Sequence, residues 1–177
     1  MDQESSQMYC DYVANLDINN LHKIYHDKQY GFPIKDDNEL FGRLILEINQ
    51  AGLSWITILK KQNNFRNAYS GFKIQKIAEY VEKDIQNLLN DPGIIRNRLK
   101  INAAIYNAQQ VIWIQREFGS FSLWLENNRF RKLDDWVILF KKIFKFTGKE
   151  ITKEFLISTG ILEGAHTRNC PIFYKIK

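Results

Sequence analysis

The chain has 177 residues, 45% of them hydrophobic and 14% aromatic, which suits one domain, or two small lobes around a shared core, and excludes a disordered chain. A formal charge of +5 and a pI near 9.1 favour an anionic partner such as nucleic acid without specifying one. No apolar run approaches the roughly 18 residues needed to span a bilayer, and the opening MDQESSQMYC lacks a basic-then-apolar signal pattern, so a soluble, cytoplasmic protein without a membrane partner is expected.

Apolar spacing is helical nearly throughout, and the fold is read as all-α. After an irregular start, Leu21 to Tyr25 reads as a short turn. DDNELFGRLILEINQA follows as a helix, with Asp37 or Asn38 as N-cap and Glu39 favouring its positive end. Gly52 ends it, and SWITILKKQNNFRNAYS opens the next with Ser54 as cap. IQKIAEY and KDIQNLLN read as two shorter helices, broken at Asp91 to Gly93 before the long helix RNRLKINAAIYNAQQVIWIQREF. FSLWLENN, DDWVILFKKIF and TKEFLISTG complete the set, and only a segment such as FKF would suit a strand.

Within this frame LLNDPGIIRNRLKINA, residues 88–103, is a helical hairpin. Gly93 removes the side chain that would keep a ligand from the backbone, and amides beyond it face out at the positive end of a helix. Arg96, Arg98 and Lys100 add charge that attracts phosphate without reading sequence. An ordinary corner with a solvated basic face fits the same residues.

The two ends of the chain hold a second constellation. His166 and Cys170 in GAHTRNCP lie one helical turn apart, and YCDYVANLDINNLHKIYHD supplies Cys10 and His26. A reducing cytosol disfavours a disulfide between the cysteines. Two thiolates and two neutral imidazoles would satisfy tetrahedral zinc and leave no position for water, so such an ion would be structural. The spacing is too long for a finger, and four unrelated side chains fit it as well.

The third feature is Glu47. Leu40, Phe41, Leu44, Ile45, Leu46 and Ile48 leave its helix almost no polar face, and a buried carboxylate needs a partner. Tyr25, Tyr30 and Trp55 are its aromatic candidates. A carboxylate beside aromatic faces receives a flat cation or an electron-poor base. A core glutamate paired with a lysine or arginine is the alternative.

Together these segments resemble the DNA-3-methyladenine glycosylase I family. The likeness runs through IYHDKQYGFP, LFGRLILEINQAGLSWITILKKQNNFRNAY, LLNDPGIIRNRLKI, REFGSFSLWL, FKFTG and GILEGAHTRNC, nearly the whole chain. QAGLSWITILKK with GIIRNRLKI is its most specific part. The resemblance implies one all-α helix-hairpin-helix glycosylase domain over residues 1–177, monomeric, acting on double-stranded DNA with alkylated bases and releasing 3-methyladenine. It implies structural zinc on Cys10, His26, His166 and Cys170, the base-pocket carboxylate on Glu47, and aromatic walls on Tyr25 and Trp55. Gly52, Leu53 and Ser54 would approach the gap left by the extruded nucleotide, with Leu53 as apolar wedge. Ile95 stands where the general hairpin motif has a second glycine, as it tends to in this family.

The chain departs from the family in several places. Cys10 and His26 lie three residues further apart than usual, Tyr12 and Tyr30 replace frequent tryptophans, and His22 replaces a frequent tyrosine. The stretch from Trp124 to Lys145 is short and lacks the usual threonine- and serine-rich loop, and KEITKEFLISTG lacks the usual TT…YAFMQ run. A target base must leave the stack to be reached, and a poorly paired one leaves more cheaply. N3-methyladenine carries positive charge and its glycosidic bond is already weak, so recognition and stabilisation of the sugar cation matter more than acid catalysis. No lysine lies in the pocket segments, so hydrolysis without strand cleavage is expected. A lesion-binding protein without turnover, and a glycosylase for another alkylated base, are the rival readings.

Overall fold

The computed structural model describes residues 3–176, and among them there are ten α-helices and no strand. They are α1 (Gln3–Ala14), α2 (Leu21–Lys28), α3 (Asp37–Gln50), α4 (Trp55–Ala68), α5 (Ile74–Ala78), α6 (Glu82–Asn90), α7 (Arg98–Phe118), α8 (Phe121–Asn127), α9 (Leu133–Ile143) and α10 (Lys149–Ser158), with a short 3-10 turn at Ser70–Phe72.

The all-α reading stands, and the differences from it lie at element ends. The start is helical, because Tyr9, Cys10 and Val13 share one face and Val13 is fully buried. Leu21 to Tyr25 opens a helix, because the Asn20 side chain accepts from the His22 amide at 2.9 Å and caps it. Asp36 caps α3 through the Glu39 amide at 2.9 Å. The expected caps Asp37 and Asn38 serve other helices. Asp37 accepts from the amides of Phe121 and Ser122 at 2.8 and 2.9 Å and from Gln115, fixing the start of α8. Asn38 accepts from the Ile74 amide at 3.0 Å and caps α5. Ser54 precedes α4, but its hydroxyl meets the Thr57 hydroxyl at 2.9 Å and makes no side-chain cap bond. The FKF segment is not a strand: Phe146 sits at φ +59°, and the Asn107 amide grips both polar groups of the Lys145 backbone at 2.7 and 3.1 Å.

The core is organised around α3. Ten successive residues, Leu40 to Asn49, are buried, so the helix is packed on every side. Its neighbours are α4, α5, α7, α8, α10 and the 3-10 turn. A second cluster of Tyr25, Tyr30, Leu59, Ile157 and Ala165 abuts this core through Trp55 and Leu162, and a third joins Cys10, Cys170 and Ile172. The ends of the chain therefore meet beside the central helix.

Close packing of α3 depends on a glycine. A Cβ on Gly42 would lie 2.4 Å from Phe72 Cδ2, and Phe72 is itself 1% exposed with the Arg66 guanidinium over its ring. Gly42→Ala should therefore destabilise the protein by about 1–3 kcal/mol through overpacking. Thermal melting checks this, and an unchanged Tm would show that the Phe72 contact is slack.

Candidate active site

Glu47 lies near the end of α3, 4% exposed. Its Oε1 accepts from the Ser158 hydroxyl at 3.3 Å, a bond supplied by α10. Burial raises its carboxyl pKa to about 8, with the charge of Glu154 pushing the same way and Arg43 and Ser158 opposing. The alternative reading, an ion pair with a lysine or arginine, is not formed by Glu47 among the described residues. Arg43, one turn earlier on α3 and 6% exposed, directs its guanidinium at Tyr25 instead. Nη1 donates to the Tyr25 hydroxyl at 2.5 Å, and the guanidinium carbon stands 4.9 Å from the Tyr25 ring.

Tyr25 from α2 packs on Trp55 at the start of α4, and Tyr30 stands next to Tyr25; both tyrosines lie within electrostatic reach of Glu47. The Tyr25 and Trp55 centroids are 5.1 Å apart with planes tilted 58°. A base held between them would separate the rings to about 7 Å, twice the optimal carbon–carbon distance. The rings thus touch each other in this structure, and a sandwich would require them to part. Trp55 Nε1 is buried without a hydrogen-bond partner, which leaves an unspent donor in the pocket wall.

The turn after α3 carries the next group. Gly52 adopts φ +83°, a conformation that favours glycine, and it turns Leu53 outward to 37% exposure. The turn is braced from within, since the Gln50 side chain donates to Leu53 O at 2.8 Å. Lys100 is not directed to solvent. It is 8% exposed, and its ammonium donates to the carbonyls of Asn49 and Ala51, each at 3.0 Å. This places a cation on the negative end of α3 and ties the hairpin to the Gly52–Ser54 turn.

The hairpin itself joins α6 to α7, which begins at Arg98 with Asn97 as cap, two residues after the expected start. Gly93 donates its amide to Asp91 Oδ1 at 2.7 Å. From α4, Lys61 donates to the Pro92 and Gly93 carbonyls and Asn64 to that of Gly93. A Cβ at Gly93 would fall 2.9 Å from Asp91 Oδ1 and 3.1 Å from Asn64. Arg96 is exposed, whereas Arg98 pairs with Glu82 at 3.0 Å.

At the meeting of the termini, Cys10, His26, His166 and Cys170 are all buried, with their ligand atoms within 4.8 Å of one another. His166 Nδ1 lies 3.1 Å from His26 Nε2, 3.5 Å from Cys170 Sγ and 3.8 Å from Cys10 Sγ. The outward nitrogens are held as well. His26 Nδ1 meets Asp27 Oδ1 at 2.7 Å, and His166 Nε2 meets the Tyr30 carbonyl at 2.9 Å. Burial lowers both imidazole pKa values, which keeps the rings neutral and able to donate a lone pair. The four side chains could hold a metal ion.

Sequence reasoning did not single out Arg43, Glu154, Ser158 or Asp27. Arg43 is four residues before Glu47 and so shares its helix face, a signal that was available. Glu154 and Ser158 are also four apart, but only the docking of α10 on α3 brings them to Glu47.

The sequence profile described as methyladenine glycosylase matches residues 15–135. The chain is 43% identical over 101 residues to DNA-3-methyladenine glycosylase 1 of Escherichia coli strain K12, a match covering 57% of this chain and 54% of that enzyme, so it spans about half of that relative. Against DNA-3-methyladenine glycosylase of Haemophilus influenzae it is 32% identical over 166 residues, covering 83% of this chain and 89% of the relative. A crystal structure of a tyrosine-to-phenylalanine variant of 3-methyladenine DNA glycosylase I in complex with 3-methyladenine superposes with a TM-score of 0.83 at 31% identity, covering 93% and 96% of the two chains.

The state of Glu47 can be checked through stability. Its folded pKa, about 8, lies above the ordinary 4.5, so the folded chain binds the extra proton and stability falls as pH rises through that window. Glu47→Gln removes the cost of ionising the buried group, of the order of a few kcal/mol. The variant should melt above wild type at pH 8.5, and the gap should close towards pH 4.5. Equal melting at pH 8.5 would mean that Glu47 is well solvated.

Proposed function

The chain belongs to the methyladenine glycosylase family, and on that premise we propose that it excises 3-methyladenine from alkylated double-stranded DNA by hydrolysis, without strand cleavage. The observation that carries the reading is the buried carboxylate of Glu47 near Tyr25, with Trp55 packed on that ring, on a fold matched to a relative's complex with 3-methyladenine.

An expelled base would place its N–H edge on Glu47, whose oxygens make strong charge-assisted hydrogen bonds once the cationic base has drawn the carboxyl into its ionised form. Tyr25 and Trp55 would contact its ring, and Trp55 Nε1 offers a further donor. When the bond between the sugar C1′ and the methylated base breaks, its electron pair neutralises the cationic ring and the base departs uncharged. Water adds to C1′ and loses a proton. Normal adenine lacks both the charge and the weakened bond, so part of the selectivity lies in the substrate.

On the DNA side, Leu53 would fill the vacated stack, with Gly52 and Ser54 letting the backbone approach. The hairpin at residues 88–103 would hold the phosphate backbone through its turn, with Arg96 as the exposed cation. Arg98 would first have to leave Glu82, and Lys100 acts by fixing the Gly52 turn. Residues 1–177 would form one monomeric domain working in the cytoplasm. Among the described residues, no helix is long and apolar enough to cross a membrane.

Zinc is the metal that Cys10, His26, His166 and Cys170 fit best. Tetrahedral zinc with two sulfur and two nitrogen ligands sets neighbouring ligand atoms about 3.3–3.8 Å apart. Four of the six separations here run from 3.1 to 3.8 Å, and all six lie within 4.8 Å. The carboxylate on His26 and the carbonyl on His166 supply the usual outer partners of ligating imidazoles. Bound zinc would supply a closed cross-link between the termini and no chemistry at the base.

Two measurements follow. Wild type incubated with N-methylated DNA should release 3-methyladenine, and Glu47→Gln should release it at least about 100-fold more slowly. Methylated DNA bound with no base released would instead establish a lesion-binding protein. Metal analysis should find about one zinc per chain, and its removal should lower the Tm, since metal binding to the folded state adds to stability. Purified protein without stoichiometric metal would refute the assignment.

A further inference from the structure

The pocket holds more charge than Glu47 alone. Arg43 and Glu47 are one turn apart on α3, and Glu154 and Ser158 are one turn apart on α10. The Ser158 hydroxyl touches Glu47 at 3.3 Å, and the Tyr30 hydroxyl points at Glu154 Oε2 from 3.5 Å. Arg43 is buried and bonded to Tyr25. Arg43 and Glu154 both act on Glu47, in opposite directions, and Glu154 also acts on Tyr25 and Tyr30. The groups acting on Glu47 are thus Arg43 from α3, Tyr25 from α2, Tyr30 beyond it, and Ser158 and Glu154 from α10, while Lys153 and Glu150 act on Glu154 with opposite signs and cancel in the count. Burial pushes both phenols far above neutral pH, so the tyrosines contribute dipoles and no charge.

These groups allow a charge count. Burial favours the protonated form of both carboxylates, so the count applies above about pH 8, where Glu47 is ionised: there Glu47 with Arg43 alone sums to zero, and a cationic base would meet a nearby guanidinium with no net compensation. Glu154 restores one negative charge, so that the occupied pocket with a positively charged base is neutral. Unbalanced charge is expensive in a desolvated site, which makes the count matter more here than at a surface. Sharing this inference's premise with the proposed excision reaction, we propose that Glu154 is a specificity-determining residue, which with Arg43 and Glu47 sets the pocket to a net charge of −1 and so selects cationic alkylated bases.

The proposal separates electrostatics from shape, because the two outer charges can be removed singly or together. Glu154→Gln is nearly isosteric and at a half-buried position. Arg43→Gln keeps an amide donor for Tyr25. The assay is kcat/KM for 3-methyladenine release from N-methylated DNA as a function of pH, using the zinc-replete full chain, with melting curves to confirm folding. Glu154→Gln should lower kcat/KM about tenfold at pH 9, where both carboxylates are ionised, as expected for one partly screened charge. It should also move the acid limb of the profile to lower pH, because it removes a charge that opposes ionisation of Glu47. Adding Arg43→Gln should recover much of that loss, since it returns the count to −1. An unchanged profile in Glu154→Gln, or losses that multiply in the double variant, would overturn the charge count while leaving wild-type activity in place. If wild type released no 3-methyladenine at all, the excision reading beneath it would fail instead.

Discussion

A carboxylate held 4% exposed on a helix buried on all sides is the constraint to which the rest of this structure answers. Leaving an ionisable group in such a place costs stability, and proteins keep such groups where function requires them. Here the surroundings do not relieve the cost by pairing. The one buried guanidinium within reach is spent on Tyr25, and the direct partner of Glu47 is a serine hydroxyl. The group is therefore left able to accept a donor from outside the chain. A pocket of this kind needs walls from several helices, because α3 buries its own neighbours. It takes them from α2, α4 and α10, which is why segments far apart in sequence must be docked closely.

The cluster at the termini explains how that docking is fixed. Tyr25 and His26 are consecutive on α2, so one ring enters the pocket while the next enters the Cys and His cluster. Tyr30 repeats the coupling, with its carbonyl on His166 and its ring beside Tyr25. Gly160, at φ +73°, brings the end of α10 so close to Gly31 that a Cβ would lie 2.8 Å from the Gly31 carbonyl. Any ion held by the four side chains would also fix the orientation of Tyr25 and Tyr30 beside Glu47.

Much of this was legible in the sequence because it is local. Helical spacing, the buried Glu47, the Pro92-Gly93 turn and the unusual pairing of scarce cysteines with scarce histidines are all contained in short windows. What was illegible is where side chains are recruited across the fold. Asp37 and Asn38 look like caps for their own helix, and each has the right chemistry; the helices they serve lie far along the chain. The start of the chain reads as irregular because its buried residues Cys10 and Val13 are few among those described, and their helix is held by α2 and, through Cys10, by His166 and Cys170. The approach of Glu154 to the pocket is set by α10 packing on α3, a contact that no periodicity in TKEFLISTG announces.

The hairpin shows the same limit in its electrostatics. Arg96, Arg98 and Lys100 alternate along the sequence and look like three equal contacts for phosphate. Their surroundings divide them: Arg96 is exposed, Arg98 is paired with Glu82, and Lys100 is turned inward onto the end of α3. Arg96 precedes α7, and within that helix successive residues turn through about 100° each, so Arg98 and Lys100 face nearly opposite ways. Lys100 is then more useful inside. By holding the carbonyls of Asn49 and Ala51, it makes the turn bearing Leu53 move with α7, whose start follows the hairpin. A protein that inserts a wedge into a duplex must hold the backbone and the wedge in fixed relation. If Leu53 is such a wedge, as proposed above, the Lys100 ammonium would supply that rigidity, at the expense of a phosphate contact that the sequence alone would have counted.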